Sequence, residues 1–401
     1  MNNDMKQIIN RIFLGIDSIA EKTWIVGFSG GKDSSLLVDL LVEYIHRNRK
    51  DIKMYIIFAD TLLEYPILYD YINKYFIELE TFIKQTNLNI EILRVRPEPG
   101  KDFLSYLLIK GYPMPHRRFR WCTEKLKIKP VKKVIENIIR KTKVESVAFI
   151  NGARIDESIY RKTLMKKKIG NELTNKVPIY VAYSSNFGIK AKVYSPLAFL
   201  KENDVWKLIR YRKKPYFAKS ELYSLLEKIY GKGRGKYYTN KNVRYGCWLC
   251  TVTTKDKSGE YLSTIDKKNK ILLEARRILF MISHEYKEIF RNKRIKCNES
   301  YNKGCYGSLN PLARYISALV FLKVIKEYPE ALNAYVTMDK YKSILDKTIE
   351  ELSYLKNDLL KIMNDQNFSY LNNIFNFISD ILDLGSKQHV NNTNKRKTTK
   401  K

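Results

Sequence analysis

Trp24-Ile-Val-Gly-Phe-Ser-Gly-Gly-Lys-Asp-Ser-Ser35 is the stretch on which the reading of this chain turns. An apolar strand, 24–28, runs into Ser29-Gly30-Gly31-Lys32-Asp33-Ser34-Ser35. Apolar residues then recur at helical spacing (Leu36, Leu37, Leu40, Leu41, Tyr44, Ile45). Two glycines let the backbone turn tightly and present consecutive N–H groups. Three serine hydroxyls add donors, and the helix N-terminus adds its dipole. Such a turn holds a polyanion. It is not the G-x-x-x-x-G-K-S/T phosphate loop, because here the lysine precedes an aspartate. A bare Gly-Gly turn before a helix can be structural alone; the strand, loop and helix together favour phosphate.

Strand and helix signals alternate through the first 150 residues or so, which predicts an α/β fold with an open, mostly parallel sheet and flanking helices. Candidate strands are 24–28, 54–59, 90–95 and 144–150, with helices at 34–48, 65–87, 101–109 and 124–141. The strand ends then carry Ser29, Asp60, Arg96 and Asn151, at the edge where such sheets bind ligands. A further strand is expected at 193–197 and a helix from about Glu202 or Asn203. Residues 231–246 are rich in glycine and lysine and read as a basic loop. Beyond about Leu262 the pattern is wholly helical, with segments at 269–292, 309–327, 337–355 and 357–383. The tail 391–401 has no apolar residue and reads as disordered. The expected domains are 1–230 for the nucleotide-binding part, 231–310 for a basic cysteine-containing region, 311–390 for a helical lobe, and 391–401 for the tail.

Two more elements join the loop. Asp60-Thr61 follows the second strand, with Glu64 close behind; Asp60 is a candidate for Mg²⁺ or a ribose hydroxyl, or else a helix cap. Asn151-Gly152-Ala-Arg154-Ile-Asp156-Glu157-Ser158-Ile-Tyr-Arg161 follows the fourth strand. There Gly152 permits close backbone approach, and Arg154 presents a planar fork to a phosphate. Glu157 and Ser158 could orient it or cap the next helix. In Pro196–Arg212, Trp206 and Leu208 read as core, while Arg210 and Arg212 face either nucleic acid or solvent.

Basic residues outnumber acidic ones by 74 to 42, a formal charge of +32. A chain so charged attracts polyanions, and DNA or RNA is the expected large partner, although a compositional bias of the genome would also raise lysine. No secretory segment or membrane span is visible, so no membrane partner is expected. Five cysteines in 401 residues do not read as a disulfide framework, and a reducing cytoplasm is the expected setting. Cys247-Trp-Leu-Cys250 is a C-x-x-C pair, with Cys122, Cys297 and Cys305 elsewhere. The pair fits a redox dithiol, a zinc half-site or an iron–sulfur half-site. Four thiolates would suit zinc or a 4Fe–4S cluster alike.

The Ser29–Ser35 loop resembles that of the ATP pyrophosphatases, the PP-loop or adenine-nucleotide α-hydrolase-like group, and of the related 3′-phosphoadenylylsulfate (PAPS) reductases. Gly152, Arg154, Glu157, Ser158 and Arg161 match a G-x-R-x-x-E-S-x-x-R pattern of the sulfonucleotide reductases and their relatives. Arg120-Trp-Cys-Thr-Glu-Lys-Leu-Lys-Ile-Lys-Pro130 and Arg244-Tyr-Gly-Cys-Trp-Leu-Cys-Thr-Val-Thr-Thr-Lys-Asp-Lys-Ser258 resemble the DndC-like sulfurtransferases of DNA phosphorothioation. The likeness covers most of residues 20–260. It implies ATP and Mg²⁺ as cofactors, cleavage to AMP and pyrophosphate, adenylation of a DNA phosphate, and replacement of a non-bridging oxygen by sulfur. Lys32, Asp33 and Arg154 would be catalytic. The nucleotide would lie on Ser29, Gly30, Gly31, Ser34, Ser35, Asp60, Thr61, Gly152, Glu157 and Ser158. It further implies a 4Fe–4S cluster on Cys122, Cys247 and Cys250. Relatives usually carry another cysteine a few residues before the pair; residues 237–246 here have none, so either Cys305 or Cys297 substitutes as the fourth ligand, or the cluster has an open iron, is incomplete or is absent. A cysteine desulfurase and other phosphorothioation subunits would be partners. The alternatives are a tRNA thiolation enzyme, a PAPS reductase, or a nucleotide-gated DNA-binding subunit of a defence complex.

Overall fold

Strands β1 (Thr23–Phe28), β2 (Lys53–Ala59), β3 (Ile90–Val95), β4 (Ser146–Ile150), β5 (Tyr180–Ser184) and β6 (Lys190–Ser195) form one sheet in the order β3-β2-β1-β4-β6-β5. The structure, a computed structural model, describes residues 2–48, 51–157, 163, 180–184, 190–232, 245–253, 255–293 and 306–382. Ser158, Cys297, Cys305, most of the basic loop and the 391–401 tail lie outside the described residues. The chain divides into two compact units. The first takes in Met1–Asp60, Pro66–Arg96 and Lys127–Tyr245; the second takes in Thr61–Tyr65, Pro97–Leu126 and Gly246–Lys401.

In the first unit every pairing in the sheet is parallel except that of β5 with β6. Alternation along each strand sends side chains to opposite faces. Ile25, Tyr55, Ile57 and Val147 pack with Ile135 and Ile138 of α4 (Lys129–Thr142). Phe28 turns the other way and meets Tyr75 and Phe76 of α3 (Pro66–Thr86), at 5.0 and 4.9 Å between ring centroids. Helix α2 (Lys32–Asn48) is buried over nearly its whole length. Asn2–Asp17, which no candidate segment covered, forms α1, whose Phe13 ring meets Tyr44 of α2.

One polar cluster sits deep in this unit. Asp39 of α2 is fully buried and accepts two hydrogen bonds from Arg212, at 2.5 and 2.7 Å. The Tyr216 N–H and the Tyr223 hydroxyl donate to the same carboxylate, each at 2.6 Å. Burial works against the guanidinium charge, but Asp39 and Glu43 outweigh it and hold Arg212 above its ordinary pKa. Arg212 therefore faces neither nucleic acid nor solvent. Arg210 pairs with Glu227 at 2.6 Å, and Trp206 and Leu208 are core.

The second unit is mostly helical. Its longest helix, Pro311–Glu327, starts on Asn310, whose side chain accepts from the Ala313 N–H at 2.9 Å, with proline in the first turn. Other helices are Lys257–Ile265, Asn269–Phe280, Asp339–Leu352, Lys356–Asn364 and Asn372–Leu382. The single helix expected over 269–292 ends early. A π-helical turn at Met281–Glu285 and a short helix lead into β7 (Arg291–Lys293), which pairs with β8 (Tyr306–Leu309). Arg291 explains the break: its guanidinium donates to the carbonyls of Tyr306, Gly307 and Ser283. No helix among the described residues is long and apolar enough to cross a membrane.

Candidate functional site

The strand order runs outward from β1 to β2 and β3 on one side and to β4 on the other, so the chain reverses direction across the sheet between β1 and β4. A crevice opens outside the carboxyl ends of two such strands. The Ser29–Ser35 loop leaves β1 there, and Asn151–Arg154 leaves β4 beside it.

Glycine is required at two points. Gly30 has φ +71°, and a Cβ on it would lie 2.6 Å from the Ile72 side chain. Gly152 has an ordinary φ, but a Cβ there would lie 3.1 Å from the Asp33 carbonyl group. The β4 loop thus passes directly against the first turn of α2. Serines tie the loop to itself: the Ser29 N–H donates to Ser34 Oγ at 3.2 Å, and Ser34 Oγ donates to the Gly31 carbonyl at 3.0 Å. The Tyr75 hydroxyl donates to the Ser35 carbonyl at 2.7 Å.

Two cations converge on Asp33. Arg154, only 2 % exposed, donates through Nε to Asp33 Oδ1 at 2.6 Å and through a terminal nitrogen to the Leu200 carbonyl at 3.3 Å. Lys32, 7 % exposed, places Nζ 3.1 Å from Asp33 Oδ2 and 3.8 Å from Glu202. The Lys32 N–H donates to the Tyr230 hydroxyl at 3.4 Å, and Nζ lies 5.5 Å from the centre of that ring. Glu157 accepts from the Arg154 N–H at 3.2 Å. Asn151 accepts from the Ala153 N–H and from Ser195 Oγ, both at 2.9 Å. Asp33 therefore fixes both cations beside the first turn of α2.

Asp60, buried at the end of β2, receives Arg96 Nε at 2.8 Å and the Tyr69 hydroxyl. Thr61 gives its hydroxyl to Glu64 at 2.7 Å in the second unit. Tyr230 and Glu202 were not picked out from the sequence as site residues. No local motif marks either one, since their proximity to Lys32 is made by the fold.

In the second unit, the C-x-x-C turn is held by its backbone. The Trp248 N–H donates to the Leu63 carbonyl at 2.9 Å, and Arg276 Nε donates to the Cys250 carbonyl at 2.8 Å. Cys122, Cys247 and Cys250 are half-buried, and none of them is joined in a disulfide among the described residues. A hydrogen bond from the Cys247 thiol, helped by the Val252 N–H and Arg276 and opposed by burial, brings Cys250 down to about 6. The expectation of a 4Fe–4S cluster, or of zinc in its place, is overturned. Among the described residues no group of three or more His, Cys, Asp or Glu side chains is placed to hold a metal ion. The two thiols of the pair engage each other, and Cys122 does not complete a third corner. The iron–sulfur and metal-binding assignments go with it.

The sequence matches the model of the phosphoadenosine phosphosulfate reductase domain over residues 23–253, more than half of the chain. The chain belongs to this family. Its parallel sheet with flanking helices, followed by a helical lobe, is the fold of the PP-loop group. An uncharacterized protein of Methanocaldococcus jannaschii is 28 % identical over 231 residues, 57 % of this chain; the match spans 36 % of that relative's length. Among solved structures, a PAPS reductase from Candida auris in complex with phosphate gives a TM-score of 0.32 at 14 % identity, over 54 % of this chain and 85 % of that one. The U34-tRNA thiolase NcsA from Methanococcus maripaludis, with its 4Fe–4S cluster, gives 0.32 at 18 % identity, over 68 % and 78 %. An FMN adenylyltransferase from Candida glabrata in complex with ATP gives 0.28 at 14 % identity, over 52 % and 55 %.

Proposed function

We propose that the first unit binds an adenine nucleotide with its phosphates on the Ser29–Ser35 turn, and that the chain is a sulfonucleotide enzyme of the PAPS reductase type. The observation that carries this reading is the convergence of Lys32 and Arg154 on Asp33 in the β1–β4 crevice. A phosphate or sulfate group there meets backbone N–H groups, serine hydroxyls and two preorganised cations. Family membership over residues 23–253 supports the sulfonucleotide class.

A second reading is ATP-dependent thiolation of nucleic acid, with DNA phosphorothioation as its most specific form. It is favoured by the formal charge of +32 and by the segments around Cys122 and Cys247. In this reading ATP adenylates a backbone phosphate, AMP becomes the leaving group, and sulfur arrives from a cysteine desulfurase acting with other subunits. DNA and those proteins are the partners.

One experiment separates the two. The purified chain is offered PAPS with a dithiol reductant or ATP with a nucleic-acid acceptor, and products are resolved by mass spectrometry. Adenosine 3′,5′-bisphosphate with sulfite supports the first reading. AMP and pyrophosphate, with sulfur in the acceptor once a desulfurase is added, support the second. ADP as sole product contradicts both.

A further inference from the structure

We propose that the second unit holds a subsite for a nucleotide of single-stranded nucleic acid, in the cavity bounded by the His116–Phe119 turn and by β7 and β8. The cavity measures about 480 Å³, and its lining among the described residues is aromatic, basic and small, with no acidic side chain. That size falls within the ordinary range for small-molecule sites, about 300–1,000 Å³.

Its aromatic wall is set out for stacking. The rings of Tyr112 and Phe119 are nearly parallel, 11° between planes and 6.3 Å between centroids. Phe119 is 40 % exposed, an apolar ring left at the surface with nothing apolar over that part of it. Reciprocal backbone hydrogen bonds between His116 and Phe119, at 3.3 and 2.9 Å, close a tight turn. Arg117 and Arg118 stand exposed at its tip, and Arg120 stands exposed just past it.

The turn is rigidly mounted. Trp121 Nε1 donates to the Pro113 carbonyl at 2.9 Å, Thr251 Oγ1 to the Pro115 carbonyl at 2.6 Å, and the Met114 N–H to Ser283 Oγ at 3.1 Å. The exposed Phe119 ring is therefore presented and does not wait to be ordered. Lys110 and Lys287 belong to the lining; the exposed Lys110 ammonium donates to the Gly100 carbonyl at 3.1 Å and that of Lys287 lies over the Tyr306 ring, while Arg291 is occupied by the β8 carbonyls and serves the wall. Burial, Arg291 and Arg118 together lower His116, so its ring is neutral near pH 7 and can exchange hydrogen bonds with a base edge.

These features discriminate among polyanions. In a duplex the bases are stacked on one another, and an exposed ring beside a recess has nothing to meet. A splayed base of a single strand can stack on Phe119 while its flanking phosphates meet Lys110, Lys287 and the arginines of the turn. The inference shares its acceptor class with the thiolation reading, but it is tested without nucleotide. Its failure leaves the chemistry of the Ser29–Ser35 turn untouched.

The test is fluorescence anisotropy of the full chain with a short labelled oligo-dT strand and with a duplex of equal length. Phe119→Ala is expected to weaken the single strand about tenfold and to leave duplex affinity unchanged. Lys110→Gln is expected to reduce the slope of log affinity against log salt by about 0.7 on the single strand. A 5-iodouracil strand should photocrosslink to a peptide that includes Tyr112 or Phe119. Unchanged single-strand affinity in Phe119→Ala, equal losses on both nucleic acids, or crosslinks confined to other peptides would overturn the proposal. Should Phe119→Ala unfold the chain, the Lys110 slope and the crosslink decide it.

Discussion

Arg154 donates through Nε to Asp33 Oδ1 at 2.6 Å, although 121 positions separate the two in the chain. The contact ties the end of β4 to the first turn of α2 and leaves Lys32 on the other carboxylate oxygen. One aspartate thereby sets the spacing of two cations, and the consequences can be measured.

Lys32→Ala removes a preorganised charge from the phosphate site. Turnover on the accepted nucleotide is expected to fall about 10²-fold, the scale for losing one transition-state donor. Circular dichroism should show an intact fold. Steady-state kinetics check this, and a change in KM alone would assign Lys32 to uniform binding.

Gly152→Ala tests the close passage of the β4 loop. The new methyl group would meet the Asp33 backbone at 3.1 Å, so loop or helix must give way. Nucleotide affinity by calorimetry is expected to drop about tenfold, since misplacement of the phosphate site is costly even when no contact is deleted. Wild-type affinity would show that the passage is compliant.

Cys250 should react as a thiolate at neutral pH. Below about 6 it is protonated and slow, so its iodoacetamide alkylation rate should rise through about 6 and be flat above neutrality. Cys247→Ala removes the hydrogen bond that lowers Cys250 most, and the midpoint should move up toward the ordinary thiol value of about 8.5. Peptide mass spectrometry after timed quenching reads both.

Asp39→Asn breaks a buried ion pair and leaves the Arg212 guanidinium with Glu43 as its one remaining counter-charge among the described residues. A loss of about 3–5 kcal/mol in urea unfolding is expected. A loss within about 0.5 kcal/mol, ordinary for surface changes, would show that Glu43 alone satisfies the arginine.

The parallel strands and the turn at Ser29 were legible because their signals are local: an apolar run, a glycine pair, a helical period. Strand β5 was missed although Tyr180-Val-Ala-Tyr183 is itself an apolar run, because it pairs antiparallel with β6 at the sheet edge, outside the alternating strand and helix pattern. The helix read through 269–292 failed for the opposite reason. Its apolar period is real, but Arg291 finds its carbonyl partners on β8, outside any local window. The cysteines show a third kind of limit. C-x-x-C spacing correctly brings two thiols together, yet whether a third donor joins them is decided by tertiary placement. Arg212 read as facing nucleic acid or solvent, and it is Asp39 and Glu43, far earlier in the chain, that draw its guanidinium inward.

The helix Glu202–Arg212 touches α2 at both of its own ends. Glu202 lies 3.8 Å from Lys32, and one full helix further on Arg212 grips Asp39 at 2.5 Å. It acts as a splint along the helix that bears the Ser29–Ser35 turn. A turn braced in this way has its shape before any ligand arrives, so little ordering entropy is lost on capture. Binding should therefore proceed in a single fast phase at all ligand concentrations. Any slow step in the reaction cycle must then belong to chemistry or to product departure.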